Sequence, residues 1–321
     1  MTATVTIDVA GGPMGGAQRY RRELYRYLER SSRADYKVIG ARRRLSAGWL
    51  VGREAAAVRR SRRVALNNVG FVTPGGERWT LLANALHFLA EDEAARLERS
   101  LRAMAERQAL VVRHAARRSD VLIAPSTAMA ERVTRAMPEV ANRVIVRLHP
   151  VAPHSTLPGP DRDIILCPVI FESYKHMPDR LADWLAAIGP QRPGSLQLVV
   201  TAARDEVPGP MGDDPRIKLV GRLDHETLEK LWLRSKAIYF PPGLESFGCP
   251  VAEARVNGQP AIARDTALNR EIGGPALCGF TAGDPDSLRE AIRLAMTRDV
   301  PPDPVPFDPD AYFSWMLGAS Q

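Results

Sequence analysis

The chain has 321 residues, too many for one ordinary domain of about 100–200 residues and suited to two. Hydrophobic residues make up 45%, enough for each half to bury a core, and no run approaches the roughly 18 apolar residues of a membrane helix. The N-terminus, MTATVTIDVAGG, enters a strand without a charged signal region, so a cytoplasmic protein is expected.

The three cysteines, Cys167, Cys249 and Cys278, are far apart and form no CxxC, which argues against a disulfide scaffold or zinc ribbon and for buried thiols. Charge is uneven: residues 1–155 hold 27 Lys or Arg against 14 Asp or Glu, a net of +13 within the +7 of the whole chain. Much of the excess lies in RYRRELYRYLER (19–30), ARRRLS (41–46) and REAAAVRRSRR (53–63). In the first of these, Tyr20, Leu24, Tyr27 and Leu28 share one helical face and leave Arg22, Arg26 and Arg30 on another, the pattern of a solvated helix face. If the charge has a partner, an acidic acceptor or a membrane surface ranks above nucleic acid, because no recognised nucleic-acid motif accompanies it.

In chain order, TVTIDV reads as a strand, followed by the Gly-rich turn GGPMGGAQRY and a helix from Ala17; YKVIGA reads as the next strand. Residues 41–70, rich in Arg and Ala, read as a surface helix or a mobile loop. Then come strand DVLIAPS, helix TAMAERVTRAM and strand RVIVRL, and a Pro-rich stretch, HPVAPHSTLPGPDRD (149–163), breaks the pattern. It restarts with DIILCPV, a helix from Met177 to Ile188, LQLVVTA, RIKLVG, helix DHETLEKLWLRS, strand KAIYFP, a helix opening at Pro250 and strand PAIAR. Such alternation implies parallel sheets. The expectation is two doubly wound, Rossmann-like α/β domains, 1–155 and 156–307, facing across a ligand cleft, with residues 308–321 crossing back to the first.

Several motifs are excluded by context. GGPMGG has no GxGxxG spacing with a downstream acid, against a nicotinamide enzyme. Ser126 lacks a GxSxG setting and reads as a helix cap. DPD at 284–286 and 308–310 precedes helical patterns, so each reads as a turn and N-cap rather than a metal-binding DxD, and no metal is expected.

The stretch GLESFGCPVAEA (243–254) is the most informative. A strand ends at Pro242 and Gly243, and Pro250 suits a helix start, which puts Glu253 in the first turn. There an acid is stabilised by the macrodipole by roughly 0.3–1 kcal/mol, a purely structural explanation. Glu245 lies outside the helix at the C-terminal end of a strand, the edge where open α/β sheets bind ligands. Gly248 permits close backbone approach, and the N–H groups from Phe247 onward suit a phosphate.

With two such domains and paired glutamates, the chain resembles the family-four retaining glycosyltransferases of the GT-B fold. The resemblance is carried by VGRLDHETLEKLWLRSKAIYFPPGLESFGCPVAEARVNGQPAIARD (220–265), by DVLIAPSTAMAERV (120–133) and by the Gly-rich turn after the first strand. It implies transfer of a sugar from a nucleoside-diphosphate sugar to a hydroxyl or amine of a small-molecule or lipid-linked acceptor. Glu253 would hold the ribose and Glu245 would face the transferred sugar. Phe247, Gly248 and Cys249 would offer backbone N–H groups, and Lys175 would neutralise the departing diphosphate. Gly221 and Leu223 would pack the nucleobase, while Gly15 and Gly16 would approach the diphosphate. His87 is the nearest candidate for the family's strand-end histidine. Where the family has an arginine five residues before the lysine, this chain has Ile170; another residue must supply that charge, an arginine of the first domain being one candidate. The same departure motivates the rival reading, a non-catalytic pair that binds a nucleotide or partner. A membrane-bound acceptor would be reached by Arg22, Arg26, Arg42, Arg43, Arg44, Arg59 and Arg60 in a peripheral contact.

Overall fold

The computed structural model describes residues 5–11, 15–31, 35–58, 60–154, 161–190 and 196–318. The chain divides into two compact units, Met1–Pro150 with Phe307–Gln321, and Val151–Pro306. Each is an α/β unit built on one six-stranded, wholly parallel sheet. Among the described residues no helix is long and apolar enough to cross a membrane.

The strands of the first unit are β1 (Val5–Asp8), β2 (Tyr36–Ile39), β3 (Arg63–Ala65), β4 (Arg78–Leu81), β5 (Val121–Ala124) and β6 (Val144–Val146), in the order β2-β1-β3-β4-β5-β6. The helix Gly16–Arg30 buries Tyr20, Leu24, Tyr27 and Leu28 as its periodicity dictates. Its other face is not simply solvated: Glu23 is also buried, with Arg22 and Arg26 at 3.4 and 3.3 Å. The helix Pro309–Leu317 packs on the same face. Phe313 lies 5.5 Å from both Tyr20 and Tyr27, Tyr27 Oη meets Ser314 Oγ at 3.1 Å, and Trp315 stacks edge-on with Trp79 at 5.0 Å. Each fully buried ring or aliphatic side chain contributes roughly 1.5–3 kcal/mol, so this helix completes the core.

Residues 41–70 are neither a solvated helix nor a mobile loop throughout. They form the helix Ala47–Ala56, capped by Ser46, and strand β3. Arg59, one of the arginines invoked for a membrane contact, lies outside the described residues. Arg53 and Arg63, which read as surface charge, are 1% and 3% exposed. Arg53 Nη1 pairs with Asp8 Oδ2 at 2.6 Å, and its Nη2 donates to the carbonyls of Val69 and Gly70 at 2.8 and 2.6 Å. Asp8, the last residue of β1, also accepts from Ala10 N, Trp49 Nε1 and Asn67 Nδ2. Arg63 donates to Thr73. Strands β3 and β4 escape the sequence pattern for this reason: their buried positions include charged and hydroxyl side chains.

Removing one partner of a buried pair leaves the other uncompensated. Arg53→Met is therefore expected to cost about 3–5 kcal/mol in urea unfolding, against less than about 0.5 kcal/mol for the exposed Arg42→Met. His149 supplies a pH test. Burial pushes its pKa from 6.5 down to about 3, and its ring lies edge-on to Tyr20 at 5.2 Å. The folded imidazole stays neutral while the unfolded one protonates, so unfolding takes up a proton between those values. Stability contributed here is full above about pH 6.5 and falls toward pH 3, by up to about 1.4 kcal/mol per unit. His149→Phe should flatten that slope in acid unfolding curves.

The second unit contains β7 (Asp161–Cys167), β8 (Gln197–Val200), β9 (Ile217–Leu219), β10 (Ser235–Phe240), β11 (Ala261–Arg264) and β12 (Leu277–Phe280), in the order β12-β11-β10-β7-β8-β9. Numbered from β7, this is the 3-2-1-4-5-6 order of dinucleotide-type sheets, and it reverses between β7 and β10. The central strands are apolar runs buried on both faces: Ile165, Leu166, Ala237, Ile238, Tyr239 and Ile262 are all inaccessible. Strand β12, whose apolar residues Leu277, Cys278 and Phe280 are interrupted by Gly279, carries no strand signal in sequence. It is held by pairing with β11 from Ala261 to Arg264.

Candidate functional site

In the second unit the strand order reverses between β7 and β10, and the loops after these two strands bring the sequence-predicted acid and base together. After β7 the chain makes a short 3-10 turn, Ser173–Lys175, before the helix Met177–Ile188. His176 joins them in the left-handed conformation, φ 49° and ψ 43°, an uncommon state for a residue with a Cβ. After β10, two buried prolines, Pro241 and Pro242, lead into the loop carrying Glu245. Lys175 Nζ lies 3.0 Å from Glu245 Oε1, with the side chains 13% and 20% exposed. Burial disfavours the ammonium, but the charge of Glu245, with Tyr174 and Glu172 nearby, outweighs it and holds Lys175 above the ordinary lysine range. Lys175 is therefore a fixed, partly desolvated positive charge at the mouth of the switch point.

The helix after this loop begins one residue earlier than the proline suggests. It spans Cys249–Val256 with Pro250 second, so Glu253 stands beyond the first turn rather than within it. The macrodipole account of that acid weakens accordingly, since the effect fades after one turn. Glu253 is 5% exposed, a carboxylate deeply buried beside the strand ends. Gly248 is the N-cap, at φ 80° and ψ 60°. The helix's own ladder starts with Val251 N donating to Gly248 O at 2.9 Å, so the amides of Gly248 and Cys249 precede it. Phe247 before them is buried, 2% exposed, and anchors the loop in the core.

Gly221, at φ 68°, follows β9 on the same C-terminal edge, its N–H donating to Ala202 O at 2.9 Å. A Cβ there would meet nothing within 4 Å, so the open face of this turn is free of side chains. Leu223 is half-buried just ahead of the helix His225–Arg234, which Asp224 caps through Thr227 N.

Two further sequence-predicted groups lie in the first unit. Gly15, at φ 73°, caps the helix Gly16–Arg30, and Gly16 opens it, one residue before the start expected at Ala17. The neighbouring positions 12–14 lie outside the described residues. His87 sits in the turn Ala85–Phe88 after β4 and is 5% exposed. Its Nε2 is 3.3 Å from Gln108 Oε1 and 3.4 Å from Asn84 Nδ2, and its carbonyl accepts from Arg113. Burial lowers its pKa, partly offset by Gln108 and reinforced by Arg113, so it is a neutral imidazole. Nδ1 is buried without a hydrogen-bond partner among the described residues.

Sequence reasoning missed two arginines around the switch point. Arg180, in the helix Met177–Ile188, pairs with Asp183 at 2.8 Å. Arg264, the last residue of β11, packs its guanidinium against Gly243, where a Cβ would fall 2.3 Å from Nη1. Only the strand register, which sets β11 beside β10, could have linked Arg264 to the glutamate loop. Asp284 and Asp308 of the two DPD stretches are N-caps, accepting from Ser287 N and Asp310 N at 3.0 and 2.9 Å. Ser126 likewise caps the helix Thr127–Ala136 through Met129 N.

Residues 214–304, which include Glu245, Glu253 and Arg264, match the family described as glycosyl transferases group 1. No curated protein matches the chain. Similar solved structures include S. aureus TarM in a complex with UDP, at 11% identity and TM-score 0.55 over 78% of this chain and 50% of that one. Sucrose-phosphate synthase from Thermosynechococcus elongatus, at 15% identity and TM-score 0.62, covers 99% of this chain and 94% of its own. AviGT4, a glycosyltransferase involved in avilamycin A biosynthesis, is 13% identical with TM-score 0.62 over 99% of both chains. The chain spans about half the length of the TarM structure it matches. The likeness is one of fold, that of the GT-B glycosyltransferases with their two parallel-sheet α/β domains.

The left-handed Gly248 is the local test of this geometry. A Cβ would meet no atom closer than 3.6 Å, so the cost of Gly248→Ala is conformational. It should be about 1–2 kcal/mol in chemical denaturation, without a cavity or clash to add to it.

Proposed function

We propose that the chain is a retaining glycosyltransferase that moves a sugar from a nucleoside-diphosphate donor to an acceptor hydroxyl or amine without a metal ion. The observation that carries this reading is the Lys175–Glu245 pair, 3.0 Å apart where the strand order reverses, beside a helix start whose cap is a left-handed glycine. The match of residues 214–304 to glycosyl transferases group 1 covers the same elements from β9 onward.

The roles follow from charge. A departing diphosphate gains negative charge as the glycosidic bond breaks, and a fixed ammonium with a preorganised helix start stabilises it without reorganisation. Lys175 is held charged by Glu245 and needs only to share its remaining protons with phosphate oxygens. Glu245 then keeps its carboxylate toward the electron-poor sugar. Glu253, buried one helical turn further on, accepts hydrogen bonds from ribose hydroxyls. Gly221 and Leu223 offer an open, uncluttered turn to a flat base. Within the first unit, Gly15, Gly16 and His87 are the candidates for ligand contact. The acceptor is a small natural-product intermediate or a lipid-linked molecule bound by that basic unit. The exposed Arg42, Arg43 and Arg44 would meet an anionic surface.

Release of nucleoside diphosphate from a panel of sugar nucleotides tests the reading. Glu245→Gln should lower kcat roughly 100-fold with little change in donor affinity. Glu253→Ala should mainly weaken donor binding. Binding without turnover over a broad donor and acceptor panel would favour a non-catalytic nucleotide-binding pair instead, which the isoleucine at position 170 makes a real alternative.

A further inference from the structure

Three cationic side chains ring the strand ends β7, β10 and β11, and their neutralisation is unequal. Lys175 is balanced by Glu245 and Arg180 by Asp183. Arg264 forms no ion pair with any described residue, and its Nε is buried without a hydrogen-bond partner among them. The adjacent carboxylate does not serve it, because Asp265 is engaged by Arg270 at 2.6 and 2.8 Å. Backbone geometry explains how such a cation is accommodated. Gly243 has no side chain, and the guanidinium fills that space against the loop that carries Glu245 two residues later. A half-buried guanidinium has five N–H donors to satisfy, and desolvation without a partner is costly. Burial and the neighbouring charge of Arg180 accordingly hold its pKa below the ordinary arginine value.

We propose that Arg264 is a ligand-binding residue that takes an oxyanion, a phosphate or carboxylate of the donor, beside the loop of Glu245. The assignment rests on the glycosyl-transfer reading of this site. It places a second cation at the end of a different strand from Lys175, so the two can grip an extended anion from two sides. A planar guanidinium matches such a group bidentately, which a lysine does not.

Calorimetric titration of the full chain with UDP, GDP, ADP and dTDP, each beside its nucleoside, tests the proposal, with UDP-glucose and UDP-glucuronic acid as further probes. Arg264→Met should weaken diphosphate binding roughly tenfold or more while leaving the nucleoside unchanged, and Arg264→Lys should recover part of the loss. Gly243→Ala should act in the same direction, because its methyl group displaces the flexible end of Arg264 at little cost in thermal stability. A loss confined to UDP-glucuronic acid, with UDP and UDP-glucose unaffected, would assign the oxyanion to the sugar carboxylate; an equal loss for all three assigns it to the diphosphate. If Arg264→Met binds every probe as the wild type does, the assignment is overturned and the glycosyl-transfer reading stands. If the wild type binds none of the four diphosphates, the donor reading falls and Arg264 loses its role with it.

Discussion

The ion pair between Lys175 and Glu245 spans the one place in the second sheet where neighbouring strands lead their connections to opposite sides. A parallel sheet opens a crevice there by topology alone, because the loops after β7 and β10 diverge. What the sequence adds is charge of both signs at its rim. The left-handed His176 and the Pro241–Pro242 step fix the two loops so that the side chains meet. An exposed pair of this kind is worth little in stability. Partly desolvated, as here, the carboxylate more than offsets the lowering effect of burial and holds the lysine pKa above its ordinary value.

The first sheet reverses its order between β1 and β3 and also concentrates charge at that reversal, with the opposite outcome. Asp8 and Arg53 are sealed, 0% and 1% exposed, and the carboxylate is saturated by Ala10, Trp49, Arg53 and Asn67. Three segments are thereby pinned to the end of β1: the start of the loop leading to Gly15, the helix Ala47–Ala56 and the stretch at Asn67. One unit uses its switch point as a structural knot and the other as an open site.

Legibility from sequence follows this division. Helix faces and apolar strands were readable, as at Tyr20, Leu24, Tyr27 and Leu28 or Ile238 and Tyr239, because burial there is a matter of periodicity. Glu245, Lys175 and Gly248 were singled out by strand and helix boundaries and by family resemblance, and the structure brings the first two into contact. Strands β3 and β4 were not readable, since Arg63 and Thr80 occupy inward positions that pattern analysis assigns to solvent. The start of the helix at Cys249 was misplaced by one residue because proline is equally at home in the first and second positions. Arg264 was invisible because its significance depends on the lateral order of strands, which no local pattern encodes.

The helix Pro309–Leu317 has a consequence for how the chain comes to fold. Its Tyr312, Phe313 and Met316 are interior residues of a core whose other walls lie within the first 150 residues. As synthesis proceeds, the first sheet emerges with part of its apolar surface uncovered and must wait while the whole second unit is made. The second unit is continuous in sequence and can complete its own sheet in the meantime. The part of the molecule made first is thus the last to be finished, and during that interval its exposed Tyr20 and Tyr27 face is the surface most open to association with other unfinished chains.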